Sequence, residues 1–301
     1  MLKFSVITPN LNLVSYLPQT IESVVHNLCP GDEYFVIDGG SNDGSVEIIR
    51  QYESRLTGWV SEPDQGYADA LAKGFARATG DILCWINSGD LLLPGALDSA
   101  RQALFDTGAE MVFGDDFYID EAGRVIVFSR GYVKDLRNAM LYGAWTPLQD
   151  ACFWKRGLYE RVGGMNPAFR YAADFDLFLR MAIHGTCRYV PLTFSAFRRH
   201  AGQKSISGSH AYRREREDLR RTVLDGLTES KLGQSLRCTW HEAAIRWRVR
   251  VSQRRWRRDD LVGQLVEKLP CRQYWPLEAG QNRPIAKERN ALRRFVTAFL
   301  P

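Results

Sequence analysis

The stretch Asp81 to Gly95, DILCWINSGDLLLPG, puts Asn87, Ser88, Gly89 and Asp90 directly after the apolar run Ile82 to Ile86. A run of that length and bulk predicts a buried strand, so a carboxylate and two neutral polar side chains stand at a strand's C-terminal end. In open α/β sheets small molecules bind at that edge, because the loops leaving the strands converge there. Two other predicted strands end in the same way. Lys3 to Thr8 runs into Pro9 and Asn12, and Glu33 to Ile37 runs into DGGSNDGS, Asp38 to Ser45. In a parallel sheet all three loops share one edge. The chain has no GxGxxG and no GxxxxGK[ST], which excludes a dinucleotide turn and a P-loop of the usual form. Carboxylates at strand ends without phosphate-cradling glycines suit contacts to a base or ribose and to a metal-bridged diphosphate. Asn87 to Asp90 alone also reads as an ordinary turn, since Asn, Ser, Gly and Asp favour turns for local reasons.

A second group of residues lies further along. In RYAADFDLFLRM, Arg170 to Met181, Asp174 and Asp176 fall near the start of a predicted helix whose Phe175, Leu179 and Ala182 face inward; there the two acids either do chemistry or are solvated. His200 with Arg198, Arg199 and Lys204 suits a diphosphate or the completion of a metal shell, or is an exposed basic loop. Gln149 and Asp150, entering the strand Ala151 to Lys155, suit an acceptor sugar or a strand-end turn. Asp115 and Asp116 in VFGDDFYID look like a paired-acid metal site but read better as a strand end on the sheet's far half.

The elements that must position these residues alternate. Helical periodicity over Tyr16 to Leu28, Ser45 to Tyr52 and Tyr67 to Ala78 separates the strands, with Asp43 or Ser41 available to cap the second helix. Strand and helix alternating in this way call for an α/β fold with a mostly parallel central sheet and helices on its faces. The length of 301 residues and 45% hydrophobic content allow a full core. The six cysteines contain no CxxC pair and sit mostly in apolar runs, which suits reduced core residues in a cytosolic chain. No signal-peptide h-region and no membrane-spanning apolar run is present. Residues 1–196 carry 16 Lys/Arg against 24 Asp/Glu, whereas residues 197–301 carry 24 against 11. The two parts therefore have different partners, with a functional boundary near Phe197.

Taken in order, these motifs resemble inverting glycosyltransferases of family 2 with the GT-A fold, particularly bacterial enzymes that build surface polysaccharides. FSVITPNLN resembles the first-strand motif, VIDGGSNDGS the donor-base loop, and SEPDQGYADALAKGFARATGDIL the stretch leading to the metal motif. RYAADFDLFLRM resembles the segment carrying the catalytic base and FRRHAGQKS the segment closing the site, so the likeness covers residues 4 to about 207. It implies that Thr8 and Pro9 flank the nucleotide base and that Asp38 contacts base or ribose. Asp64 would line the donor pocket, with Asn12, Gly39, Lys73, Asn87 and Ser88 around the donor. It further implies Asp174 as general base, and Asp90 with His200 at a divalent cation, magnesium or manganese, beside the diphosphate. Gly89 stands where relatives carry the acid expected to hold that cation most directly, and Ala173 replaces an acid often found before the base. The resemblance sets a GT-A domain at 1–210, with a nucleotide-sugar-binding half at 1–115 and an acceptor-binding half at 116–210.

Residues 211–301 read as a helical basic extension. Leu236 to Arg258 is a predicted helix with eight arginines against one acid, Glu242. Trp240, Ala244, Trp247 and Val251 form one apolar stripe, Ile245, Val249 and Trp256 a second, with Arg246, Arg250, Arg254 and Arg257 between them. One stripe suits docking on the catalytic domain and the other an anionic headgroup region; burial of both by neighbouring helices is the alternative, and nucleic acid is not an expected partner. The leading reading is an enzyme at the inner face of the cytoplasmic membrane that moves one sugar, a hexose or N-acetylhexosamine from a nucleotide donor with UDP favoured, to a lipid-linked glycan acceptor in polysaccharide biosynthesis, with homo-oligomers possible. The rival is a GT-A-like nucleotide-sugar-binding or scaffolding protein without turnover.

Overall fold

The computed structural model describes residues 2–226 apart from 144, 201 and 204–207. Within them β1 (Phe4–Asn10), β2 (Glu33–Asp38), β3 (Gly58–Ser61) and β4 (Ile82–Trp85) run parallel in the order β3-β2-β1-β4. Helices α1 (Leu17–Val25), α2 (Ser45–Gln51) and α3 (Tyr67–Phe75) form the crossovers. β1 and β4 are buried at every residue, as strands covered on both faces must be. The alternation read in the sequence is thus a parallel half-sheet, and the loops after β1, β2 and β4 share its edge.

The chain then adds β5 (Leu91–Leu92), α4 (Ala96–Thr107), β6 (Met111–Ile119), β7 (Val125–Ser129), α5 (Leu136–Gly143) and β8 (Cys152–Lys155). It continues through α6 (Arg156–Arg161), α7 (Ala173–His184), β9 (Cys187–Arg198) and α8 (Ser209–Gly226). β8 enters antiparallel between β4 and β6, β9 pairs parallel with β6, and β5 pairs antiparallel with β9. β7 folds back on the far end of β6. One sheet therefore crosses residue 115, which lies inside β6. Asp115 and Asp116 are mid-strand rather than at a strand end, because Phe117 and Ile119 carry the buried pattern on to Ile119.

The pleat sends successive side chains to opposite faces, and β4 shows the consequence. Ile82 and Cys84 join Phe4, Tyr34 and Phe153 on one face, while Leu83 and Trp85 join Trp154, Phe175 and Phe178 on the other. Trp85 stacks on Phe178 at 5.6 Å and meets Trp154 edge-on at 5.4 Å. Each such ring contributes about 1.5–3 kcal/mol by burial, and together they lock α7 against β4. The N-terminus of α7 consequently faces the loop that leaves β4.

Tyr212, Leu219, Val223 and Leu224 of α8 pack into the same aromatic cluster. The expected division at residue 210 falls within the first turn of this docked helix. Cys29, Cys84, Cys152 and Cys187 are free thiols. No helix among the described residues is long and apolar enough to cross a membrane. The predicted basic helix Leu236 to Arg258 lies outside the described residues.

Candidate active site

At the C-terminal edge of β1 and β4 lies a cleft of about 740 Å³. Its walls are the loop after β1, from Pro9 to Tyr16, and the strand-end residues Asn87, Ser88 and Asp90. Asp64, Tyr67, Gln149, Arg170, Asp174, His200 and Tyr212 complete the lining. Of the residues singled out in the sequence, the fold thus gathers Pro9, Asn12, Asp64, Asn87, Ser88, Asp90, Asp174 and His200 around one space.

Four others are placed elsewhere. Thr8 is fully buried with its hydroxyl 2.9 Å from the Tyr34 hydroxyl. Lys73 pairs with Glu62 and Asp69 on the outside of α3. Asp38 has no exposure, and its carboxylate accepts from Asn10 Nδ2 (2.7 Å), the Gly40 and Ser41 amides (3.1 and 2.9 Å), Ser41 Oγ (2.5 Å) and Ser61 Oγ (2.7 Å). Burial acts to raise its pKa, but those donors outweigh burial and hold it below the usual range. Gly39 lies behind the cleft, where a Cβ would meet Asp64 Oδ2 at 2.4 Å; this is the close approach that brings Asp64 to the wall. Asp43 takes the Ser45 amide and hydroxyl and the Val14 amide, so it ties the start of α2 to the loop after β1, while Ser41 is spent on Asp38.

Asp38 reaches the cleft through a residue the sequence did not single out. Asn10 lines the cleft and donates to Asp38 and Ser41, and among the described residues its Oδ1 finds no partner. An unpaired buried acceptor at the rim of a cleft is a ligand contact in waiting. Register with Asp38 in the β1–β2 pair carries that signal, which single-strand periodicity does not contain.

Asp90 tests the implied divalent cation. It is 3% exposed; Oδ1 accepts the Arg198 amide at 2.9 Å and Oδ2 faces Asn87 Nδ2 at 3.3 Å. Arg198 reaches Gly89 O, Gln19 and the Asp120 and Glu121 carbonyls, so Asp90 belongs to a tie between β9 and the loop after β4. Gly89 has φ +107°, a conformation that an acid at this position would adopt only under strain. His200 leans on Tyr16 at 5.3 Å between ring centroids; burial, with Arg198 nearby, lowers its pKa. Among the described residues no three His, Cys, Asp or Glu side chains converge as a cation cage requires. Asp90 and His200 therefore do not fit a protein-held cation, and none of the chemistry below is routed through one.

Asp174 stands at the start of α7, on the wall of the cleft. Its Oδ1 accepts the Phe175 amide at 2.7 Å, and its side chain lines the cleft. Burial pushes its pKa up to about 6, opposed by the Phe175 amide and the nearby Arg216. A partly exposed carboxylate with that pKa is ionised at neutral pH and basic enough to accept a proton. Asp176 is turned away into an ion pair with Arg180.

Asp116 and Asp150 are buried, and among the described residues no donor meets their carboxylates in good hydrogen-bond geometry, although Ser129 lies beside Asp116 and Ser195 beside Asp150. Burial and the facing Asp150 push both Asp90 and Asp116 upward. Among the described residues the Gln149 side-chain amide, at the cleft wall, also has no hydrogen-bond partner. Tyr16, Tyr67, Arg170 and Tyr212 line the cleft as well. The three tyrosines were not marked by the sequence patterns, because aromatic residues at helix starts read as core, and Arg170 entered only as the first residue of the RYAADFDLFLRM motif.

The family model for glycosyl transferase family 2 matches residues 5–174. Over 184 residues the chain is 34% identical to an uncharacterized glycosyltransferase of Mycobacterium tuberculosis, covering 60% of this chain and 68% of that one. Over 183 residues it is 31% identical to the PGL/p-HBAD biosynthesis glycosyltransferase of Mycobacterium bovis, covering 59% and 68%. It superposes on S. aureus TarS 1-349 in complex with UDP-GlcNAc with a TM-score of 0.56 at 17% identity, over 67% of this chain and 60% of that one. The mannosyltransferase PcManGT from Pyrobaculum calidifontis, in complex with GDP-Man and Mn2+, gives the same TM-score and identity over 99% and 80%. At such identities these two likenesses show the fold, which is GT-A.

Proposed function

The chain belongs to glycosyl transferase family 2, and from that footing we propose that it moves one hexose or N-acetylhexosamine from a nucleotide-sugar, a UDP-sugar by preference, to a lipid-linked saccharide with inversion. The observation that carries this reading is Asp174, a partly exposed carboxylate with a pKa of about 6 across one cleft from the strand-end loops of β1 and β4. The acceptor hydroxyl oxygen attacks the anomeric carbon as the bond to the diphosphate oxygen breaks. The hydroxyl proton passes to Asp174, the new glycosidic bond forms on the opposite face, and the nucleoside diphosphate leaves with the electron pair. Asn10, Asn12 and Asp64 offer hydrogen bonds to the nucleoside, Pro9 an apolar edge, and Asn87 and Ser88 contacts near the diphosphate. Gln149 and Arg170 face the space left for the acceptor.

UDP-glucose, UDP-GlcNAc and GDP-mannose, offered with a polyprenyl-diphosphate-linked sugar, test the proposal. The expected result is transfer from one donor, with the product's anomeric configuration opposite to the donor's by NMR. A retained configuration refutes single displacement; donor-induced thermal shifts without transfer or hydrolysis favour the non-catalytic reading.

A bacterial polysaccharide context of the O-antigen or capsule kind is part of the proposal, supported by a relative named for PGL/p-HBAD biosynthesis. So is peripheral attachment to the inner face of the cytoplasmic membrane through Arg246, Arg250, Arg254 and Arg257. Each arginine near an anionic surface contributes about 1 kcal/mol. Replacing the four with glutamine is expected to release the protein from anionic liposomes and to lower activity on lipid acceptors, while a short soluble acceptor is still used. Failure of the wild-type chain to co-sediment with such liposomes at low salt refutes attachment.

A further inference from the structure

Helix α7 starts at Ala173 with Ala172 before it, and neither alanine can cap the amide groups left free at a helix N-terminus. Two other helices supply the cap. Tyr67, at the start of α3, accepts from the Ala173 and Asp174 amides at 3.0 and 3.3 Å and donates to the Tyr171 carbonyl at 3.1 Å. Glu215, on α8, accepts from the Tyr171 and Ala172 amides, both at 2.9 Å. The amides of 171 to 174 are thus held in sequence by one hydroxyl and one carboxylate.

Glu215 is itself anchored. Leu219, Val223 and Leu224 seat α8 in the core, and Arg220 donates to the Leu141 carbonyl at 2.8 Å. Residues 212, 215, 216 and 219 recur at helical spacing and share one face; on it Arg216 lies 5.6 Å over Tyr212 and 5.9 Å over Phe175, the residue after Asp174. The family match ends at residue 174, so this support comes from chain beyond it.

We propose that Glu215 is a positioning residue for sugar transfer, fixing the first turn of α7 and with it the direction of the Asp174 carboxylate. The inference rests on Asp174 as general base. Catalytic groups displaced by about 1 Å lose on the order of 100-fold in rate. The loss appears in turnover, because Glu215 does not line the cleft.

The test uses the full chain and whichever of UDP-glucose, UDP-GlcNAc and GDP-mannose it turns over or hydrolyses. Glu215→Ala is expected to lower kcat roughly 10–100-fold while the donor KM stays within about twofold. Glu215→Gln keeps an acceptor oxygen in place and is expected to stay within about threefold of wild type. Wild-type kcat in Glu215→Ala overturns the proposal, as does a joint loss of kcat and donor affinity with glutamine no better than alanine. If Glu215→Ala does not fold, Tyr67→Phe, which removes the other half of the cap at nearly constant volume, must show a comparable fall in kcat; because Tyr67 also lines the cleft, its KM is not part of this test. Asp174→Asn separates the two claims. Full turnover there refutes the base, whereas an inactive Asp174→Asn beside a normal Glu215→Ala refutes only the positioning.

Discussion

Asp174→Asn is expected to lower turnover roughly 10²–10⁴-fold, the range that a positioned general base supplies, with donor affinity unchanged. The amide has the size of the carboxylate, and its Oδ1 still accepts the Phe175 amide, so the first turn of α7 is kept. The pH dependence separates lost chemistry from lost structure. The Asp174 pKa is raised to about 6, so wild-type kcat/KM should fall about tenfold per unit below pH 6, and the residual rate of the variant should lack that limb. A raised folded pKa means that ionising Asp174 costs stability as pH climbs from about 4 to about 6. Asp174→Asn should therefore be at least as stable as wild type at pH 7. Near wild-type turnover eliminates Asp174 as base, and a lowered Tm eliminates this account of its ionisation.

The second large effect is expected at Asp38, and it is one of stability. Its carboxylate satisfies donors from Asn10, Gly40, Ser41 and Ser61. Removing it leaves buried donors without a partner, a loss on the order of 3 kcal/mol or more. In a domain of this size that lowers Tm by roughly 6–12 °C. Asp38→Asn should be no better than Asp38→Ala, because one amide edge is itself a donor facing donors. The folded pKa of Asp38 is depressed, so its contribution is present above the unfolded value of about 3.9 and disappears as pH falls through the folded one. The gap in Tm between variant and wild type should accordingly close toward pH 2. Donor affinity should fall as well, since Asn10 loses the partner that orients it. A Tm within about 2 °C of wild type at pH 7 sinks this assignment.

How far the sequence could be read depended on whether the information was local. β4 and its polar ending were visible because an apolar run stops abruptly at Asn87, and the parallel order followed from alternation. Asp174 was visible as a motif residue beside an inward Phe175. The fate of Asp38 and Asp90 was not, because the groups that occupy their oxygens come from elsewhere. The amide that meets Asp90 belongs to Arg198, 108 residues on. Asp115 and Asp116 read locally as a strand end, whereas pairing with β9 lets β6 run on past them to Ile119. The cap of α7 was hidden for the same reason: two alanines give no signal, and Glu215 reads as one charge among many on α8.

The position of β8 between β4 and β6 also governs how the molecule is made. β1 to β4 are complete once Trp85 has emerged, but the free edge of β4 waits for Cys152 to Lys155, and β5 waits for Ser195 and Ala196 of β9. At roughly 5–20 residues per second, several seconds of synthesis pass with the β4 edge of an apolar parallel sheet unpaired. That edge carries Ile82 and Leu83, an adhesive surface for another nascent chain. Slowing translation between residues 86 and 151 should therefore lower soluble yield even though every codon still specifies the same protein, and an unchanged yield would show that the open edge is harmless.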